Sequence, residues 1–166
     1  MSITGGEPFV HPRILDILEL FSRYGVEEVS TITNGSLPLD KYQRALELID
    51  NLIFSWHFEF LRVDHMKHVL NNLNRKQVKV HLMYLPGKLE EIRGVVDWLQ
   101  DNNVKYNVRR IRPMTNKNRE FNPPYASGMK FEGIQWGGAE GYYSDAELEY
   151  LSTFDKAGTA EMNCEL

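Results

Sequence analysis

A single cysteine, Cys164, is all the thiol this chain of 166 residues contains. That excludes an internal disulfide framework. It also excludes an iron–sulfur cluster held by this sequence alone, because such clusters take several thiolates. A surplus of positive charge is missing too: 19 Lys and Arg stand against 23 Asp and Glu, with the signs well mixed. A dedicated nucleic-acid surface, which carries a basic excess, is therefore not expected. No run approaches the roughly 18 apolar residues of a membrane span, and the start does not read as a signal peptide. The expected setting is the cytoplasm, with neither membrane nor nucleic acid as partner. Hydrolytic signatures are also absent: there is no H-E-x-x-H helix for a metal and no G-x-S-x-G elbow for a serine nucleophile.

What is present is a regular alternation of helical and extended segments. Apolar content of 42% and charged content of 25% are those of a globular chain. The length suits one domain, burying about 70% of its unfolded surface. Ile14, Ile17, Leu18 and Phe21 keep the spacing of one buried helix face, and Gly25 follows as a stop. Val26 to Thr33 reads as a strand. Asp40 is expected to cap a helix whose Tyr42, Ala45, Leu46 and Ile49 share a face. Leu52 to Phe60 is the next strand, and Asp64 is expected to cap a helix carrying Met66, Val69, Leu70 and Leu73. Val78 to Leu85 is a strand that Pro86-Gly87 turns. A helix over Leu89 to Asp101 and a strand over Val104 to Ile111 close the series.

Such alternation predicts an α/β fold, with parallel strands, right-handed crossovers and helices outside. Five strand candidates and four clear helices make an incomplete barrel, since a full one takes roughly 250 residues. After Pro113 the pattern stops. Met114 to Gly141 is rich in Asn, Pro and Gly and reads as a long loop. Ser144 and Glu147 then form a capping box for a helix over Ala146 to Phe154. The expected division is a truncated barrel over 1–113 and a loop-rich segment with one helix over 114–166.

The chain's most specific stretch is Ile3-Thr4-Gly5-Gly6-Glu7-Pro8. A short apolar strand runs into two glycines, where a backbone can approach a ligand without a Cβ between them. Glu7 adds an acceptor suited to an ammonium group. Strand ends that open into helices are where α/β proteins bind small molecules.

This run resembles the second-strand motif of the radical S-adenosylmethionine (radical SAM) superfamily. The likeness continues through Leu37, including the Thr33-Asn34-Gly35 turn. Leu52 to Phe60, Val78 to Lys88 and Val104 to Met114 are similar to that family's strands four, five and six. The resemblance covers the first 115 residues or so and implies an incomplete (β/α)6 radical-SAM-type partial TIM barrel. It implies S-adenosyl-L-methionine as cofactor and, in the complete protein, a [4Fe-4S] cluster that yields a 5′-deoxyadenosyl radical for hydrogen abstraction. The family's cluster-binding CxxxCxxC lies upstream of this motif and is not in the sequence. The expectation is thus an incomplete piece, one half of a split enzyme or a decayed relative, not competent alone and poorly soluble through its uncovered edge strand.

The resemblance also assigns residues. Gly5, Gly6, Glu7 and Pro8 would hold the amino group of the cofactor's methionine half, with Asn34 beside it and Ser55 touching it. Ser55, His57 and Glu59 alternate onto one side of their strand, with Trp56, Phe58 and Phe60 on the other. His57 and Glu59 are expected to face substrate, as are His81 and Met83 one strand along. Arg110 and Arg112 share a face, and an inward arginine suits a carboxylate: Arg112 is taken as cofactor-facing and Arg110 as substrate-facing. Surface ion pairs account equally well for these arginines, and a satisfied polar interior for the Ser55 row. Cys164 matches the place where relatives with a C-terminal auxiliary-cluster extension begin a further cluster motif, and those relatives suggest a peptide or protein substrate. Two other readings stay open. One is a non-catalytic ligand-binding module or partner subunit. The other is a metal-dependent hydrolase or lyase in which His57 and His81 converge with Glu7 or Glu59.

Overall fold

The parallel β-rich segments pair in the order in which they occur. In the computed structural model, which describes residues 1–110 and 143–155, five strands form one sheet. They are β1 (Ser2–Ile3), β2 (Ser30–Thr33), β3 (Asn51–His57), β4 (Val78–Tyr84) and β5 (Lys105–Arg110), ordered β1-β2-β3-β4-β5 and all parallel. Between them run α1 (Ile14–Arg23), α2 (Leu39–Leu46), α3 (Val63–Asn71) and α4 (Leu89–Asp101), and α5 (Asp145–Asp155) follows. Because each crossover steps to the next strand in one direction, right-handed connections place α1 to α4 on the same face. Among the described residues no helix connecting the strands covers the other face, the open face of the sheet. This is an α/β fold of the incomplete-barrel kind, as the alternation implied.

Alternation along β3 shows the two faces. Leu52, Phe54 and Trp56 are buried under the helices, whereas Ile53, Ser55 and His57 are half-buried on the open face. An aromatic ladder fills the helix side. Phe9 meets Tyr42 edge-on at 5.4 Å, Tyr42 meets Phe54 at 5.2 Å, and Phe54 stacks on Trp56 at 4.7 Å. Each such pair is worth about 0.5–1.5 kcal/mol beyond burial.

Local signals resolve unevenly. Gly25, with φ of 66°, sits after α1; its N–H reaches Ser22 and that of Val26 reaches Phe21, a Schellman stop. Asp40 and Asp64 are not caps but lie inside the first turns of α2 and α3, where a carboxylate still favours the helix dipole. Several strands are shorter than their β-rich sequences. β2 begins only at Ser30, after Glu28 adopts a φ of 51°, and β3 ends at His57, leaving Phe60 exposed in a turn instead of inside with Trp56.

The capping box forms as its spacing implies. Ser144 Oγ accepts from Glu147 N at 3.3 Å, and Glu147 Oε2 accepts from Ser144 N and Oγ, both at 2.8 Å. The other oxygen, Oε1, accepts from Tyr84 Oη and from Gly87 N at 2.6 Å. Tyr143 stacks on Tyr84 and donates to its carbonyl at 2.9 Å. One buried carboxylate thereby fastens α5 to the end of β4 and the turn behind it.

Candidate functional site

The loops that leave the C-terminal ends of the strands gather at one edge of the sheet. After β1, Gly5 and Gly6 take φ of 98° and 47°, conformations that glycine adopts without strain. A Cβ at either would meet nothing within 4 Å, so this backbone is open to a ligand. Glu7 turns inward. Its Oε1 accepts from Phe9 N at 3.1 Å and Thr33 Oγ1 at 2.9 Å, and its Oε2 from Asn34 N at 2.6 Å. Glu7 therefore ties the loop after β1 to the end of β2, a role the sequence did not disclose. A carboxylate offers about four lone-pair sites, which leaves one for a ligand. Pro8 opens the short 3-10 turn that Glu7 caps. Replacing Glu7 with Gln sets an amide N–H₂ against either Asn34 N or Phe9 N. The expected loss is about 1–2 kcal/mol in a thermal or urea melt.

The Asn34-Gly35 turn is held from three sides. Asn34 Oδ1 accepts from Ser36 N at 2.9 Å, and Gly35 N donates to Thr33 Oγ1 at 3.2 Å. His65, on the first turn of α3, meets the Gly35 carbonyl through Nε2 at 2.8 Å. His65 is half-buried there, whereas His68, one turn on, is exposed. Behind the turn stands the Trp56 indole, 2.5 Å from where a Gly35 Cβ would lie.

Register fixes the open face. Thr33 pairs with Phe54, which sets Asn34 and Ser55 at one level, and Ser55 pairs with His81 and His57 with Met83. His81 and Met83 are buried on this face, as their alternation implied, with Tyr84 opposite. Glu59 lies beyond the end of β3, not on it. Its Oε2 is buried without a hydrogen-bond partner among the described residues, 3.7 Å from His57 Nδ1. Burial lowers the His57 pKa despite the opposing pull of Glu59.

The arginine assignment needs correction. Met83 pairs with Arg109, while Arg110 pairs with Tyr84 on the helix side. Arg109 is therefore the open-face arginine and Arg110 is not. The buried Val108 has the parity of Arg110, and that was the signal to read. Lys79, two positions before His81, joins the same face and was missed. With its amide oxygen turned toward Lys79, Asn107 accepts from Nζ at 3.1 Å. Arg112 and Cys164 lie outside the described residues, as does all of Met114 to Gly141.

His81 is held neutral. Burial first, then the positive charges of Arg109 and Lys79, push its pKa from 6.5 down to about 4. A histidine depressed in the folded state favours folding fully above pH 6.5 and loses that contribution as the pH falls toward 4. The expected result is a drop of up to about 3 kcal/mol across that window, flattened in His81→Asn. Urea melts at a series of pH values measure it.

The open Gly5-Gly6 backbone and the free lone pair of Glu7 fit a small ligand with an ammonium group, such as S-adenosylmethionine. An iron–sulfur cluster does not fit, since no described residue is a cysteine. Nor do three His, Cys, Asp or Glu converge on a metal position among the described residues.

Together these features define a singly wound parallel α/β sheet whose loops gather at the strand C-termini, the end at which sheets of this kind bind ligands. Among known proteins, the chain is 27% identical over 142 residues to the GTP 3',8-cyclase of Limosilactobacillus fermentum (strain NBRC 3956 / LMG 18251). That alignment takes in 75% of this chain but only 42% of the relative. The similarity supports a relationship to the radical SAM proteins. No family model matches the sequence. No described helix is long and apolar enough to cross a membrane.

Proposed function

We propose that this chain is the S-adenosylmethionine-binding part of a radical SAM enzyme. One observation carries the reading: the Gly5-Gly6 backbone, open where a Cβ would stand, lies at the sheet edge that Glu7 ties to Asn34. The motif likeness and the distant relative support it. In this reading Gly5, Gly6 and Glu7 receive the cofactor's ammonium group, and Ser55 lies alongside on the open face. The cluster ligands come from beyond the described residues, and hydrogen abstraction belongs to the whole protein. GTP cyclisation stays with the relative, of which this chain matches 42%. The peptide substrate suggested by the C-terminal extension rests on residues outside those described.

Equilibrium dialysis with labelled S-adenosylmethionine tests the reading. The chain is expected to bind it saturably. Ser55→Val, a strand-compatible change that puts methyls on the open face, is expected to weaken binding at least tenfold without lowering Tm. Absence of saturable binding by the folded chain sinks the cofactor assignment and leaves a module for some other ligand.

A further inference from the structure

The open face of β4 and β5 carries positive charge that nothing described there neutralises. Lys79, His81, Asn107 and Arg109 lie on it, and no strand residue of the open face is acidic. Among the described residues Lys79 has only the neutral Asn107 amide as partner. Among the described residues neither Lys79 nor Arg109 forms an ion pair, and the one carboxylate near this face, Glu59, is set against His57. Both cations are half-buried, where an unpaired charge is costly. Lys105, which pairs with Lys79 on the same face, is exposed, and solvent screens its charge.

We propose that Lys79, His81, Asn107 and Arg109 form an anion subsite that takes a phosphate group of the substrate. This rests on the open face being the ligand face, as in the function proposed above. Charge matching selects phosphate over carboxylate: the two half-buried cations balance a dianion, whereas a carboxylate leaves one of them unpaired. Donor geometry agrees. An arginine fork spans two phosphate oxygens, a lysine ammonium supplies a point charge, and a neutral imidazole adds an N–H. The neutral state of His81 suits that role, because it donates without adding a third charge.

The test is calorimetric titration of the full chain with inorganic phosphate, glycerol 3-phosphate and acetate at constant ionic strength. Glycerol 3-phosphate is expected to bind saturably and at least as tightly as inorganic phosphate, with acetate at least tenfold weaker. Lys79→Gln and Arg109→Gln are each expected to weaken the ester at least tenfold. Arg109→Lys retains part of the binding, and Lys76→Gln, an exposed charge control, changes nothing. Circular dichroism melts establish that each variant is folded. If Arg109→Gln fails to fold, Arg109→Lys and Lys79→Gln decide the matter.

Three results overturn the proposal. They are no saturable ester binding, ester binding untouched in the folded variants, and acetate competing as well as phosphate. Binding of inorganic phosphate with exclusion of the ester assigns the site to a free ion and overturns the substrate claim. S-adenosylmethionine dialysis on the same samples separates this inference from the one beneath it. A chain that holds phosphate esters through Lys79 and Arg109 but not S-adenosylmethionine sinks the cofactor reading and leaves this one standing; the reverse sinks only this one.

Discussion

Gly35→Ala is expected to destabilise the chain by about 3 kcal/mol, a fall in Tm on the order of 10 °C for this size. Two costs add. Gly35 has φ of 76°, where an L residue is strained by about 1–2 kcal/mol. The new methyl would also stand 2.5 Å from Trp56 Nε1 and 2.8 Å from Cε2. Trp56 is buried and stacked on Phe54, so the indole cannot swing away without disturbing the aromatic ladder. Gly25→Ala supplies the control. Its φ of 66° is similar, yet a Cβ there meets nothing within 4 Å, so only the strain remains. The difference between the two melts measures the indole contact, and Gly35→Ala combined with Trp56→Phe is expected to recover part of it. Equal costs at the two glycines contradict a tight turn.

The second large effect falls on Glu147. Removing its side chain leaves Tyr84 Oη, Gly87 N and the Ser144 donors without their acceptor, and Glu147 is only 5% exposed. Glu147→Ala is expected to cost about 3 kcal/mol and to release α5 from the end of β4. Loss of the Tyr84–Tyr143 stack would show in the near-ultraviolet circular dichroism. The carboxyl titrates accordingly. Burial alone would raise its pKa, but donation from Tyr84, Ser144 and Gly87 outweighs burial and holds it below 4.5. The ionised latch therefore contributes fully above pH 4.5 and is lost as the pH falls through the lower folded value. Undocking of α5 at neutral pH in the wild type contradicts this account.

Both effects show what the residues disclosed and what they withheld. The Ser144–Glu147 spacing announced a capping box, because that motif is local and its atoms lie within one turn. That the same carboxylate also binds Tyr84 and Gly87 was not legible, since those contacts close over 60 residues. The Asn34-Gly35 turn was readable as a turn; its need for glycine came from Trp56, on the next strand. Strand order and helix placement followed from alternation, and so did the open-face positions of Ser55, His57, His81 and Met83. On β5 the choice between Arg109 and Arg110 went wrong. Two adjacent arginines blur a period of two, and the only guide was Val108. Lys79 continues the His81 row toward the start of β4, where a lysine reads equally well as a solvated strand end. Glu7 was assigned to a ligand alone, although most of its hydrogen bonds run to Thr33, Asn34 and Phe9.

The central claim is that the strand C-termini and the open face form one ligand site for S-adenosylmethionine. Amide chemical-shift mapping tests it most directly, by titrating the cofactor into the isotopically labelled chain. Shifts concentrated at Gly5, Gly6, Glu7, Asn34, Ser55 and His57, with saturation at a common concentration, are the predicted result. No saturable shifts, or shifts confined to the helix-covered face around Tyr42 and Val108, would contradict it.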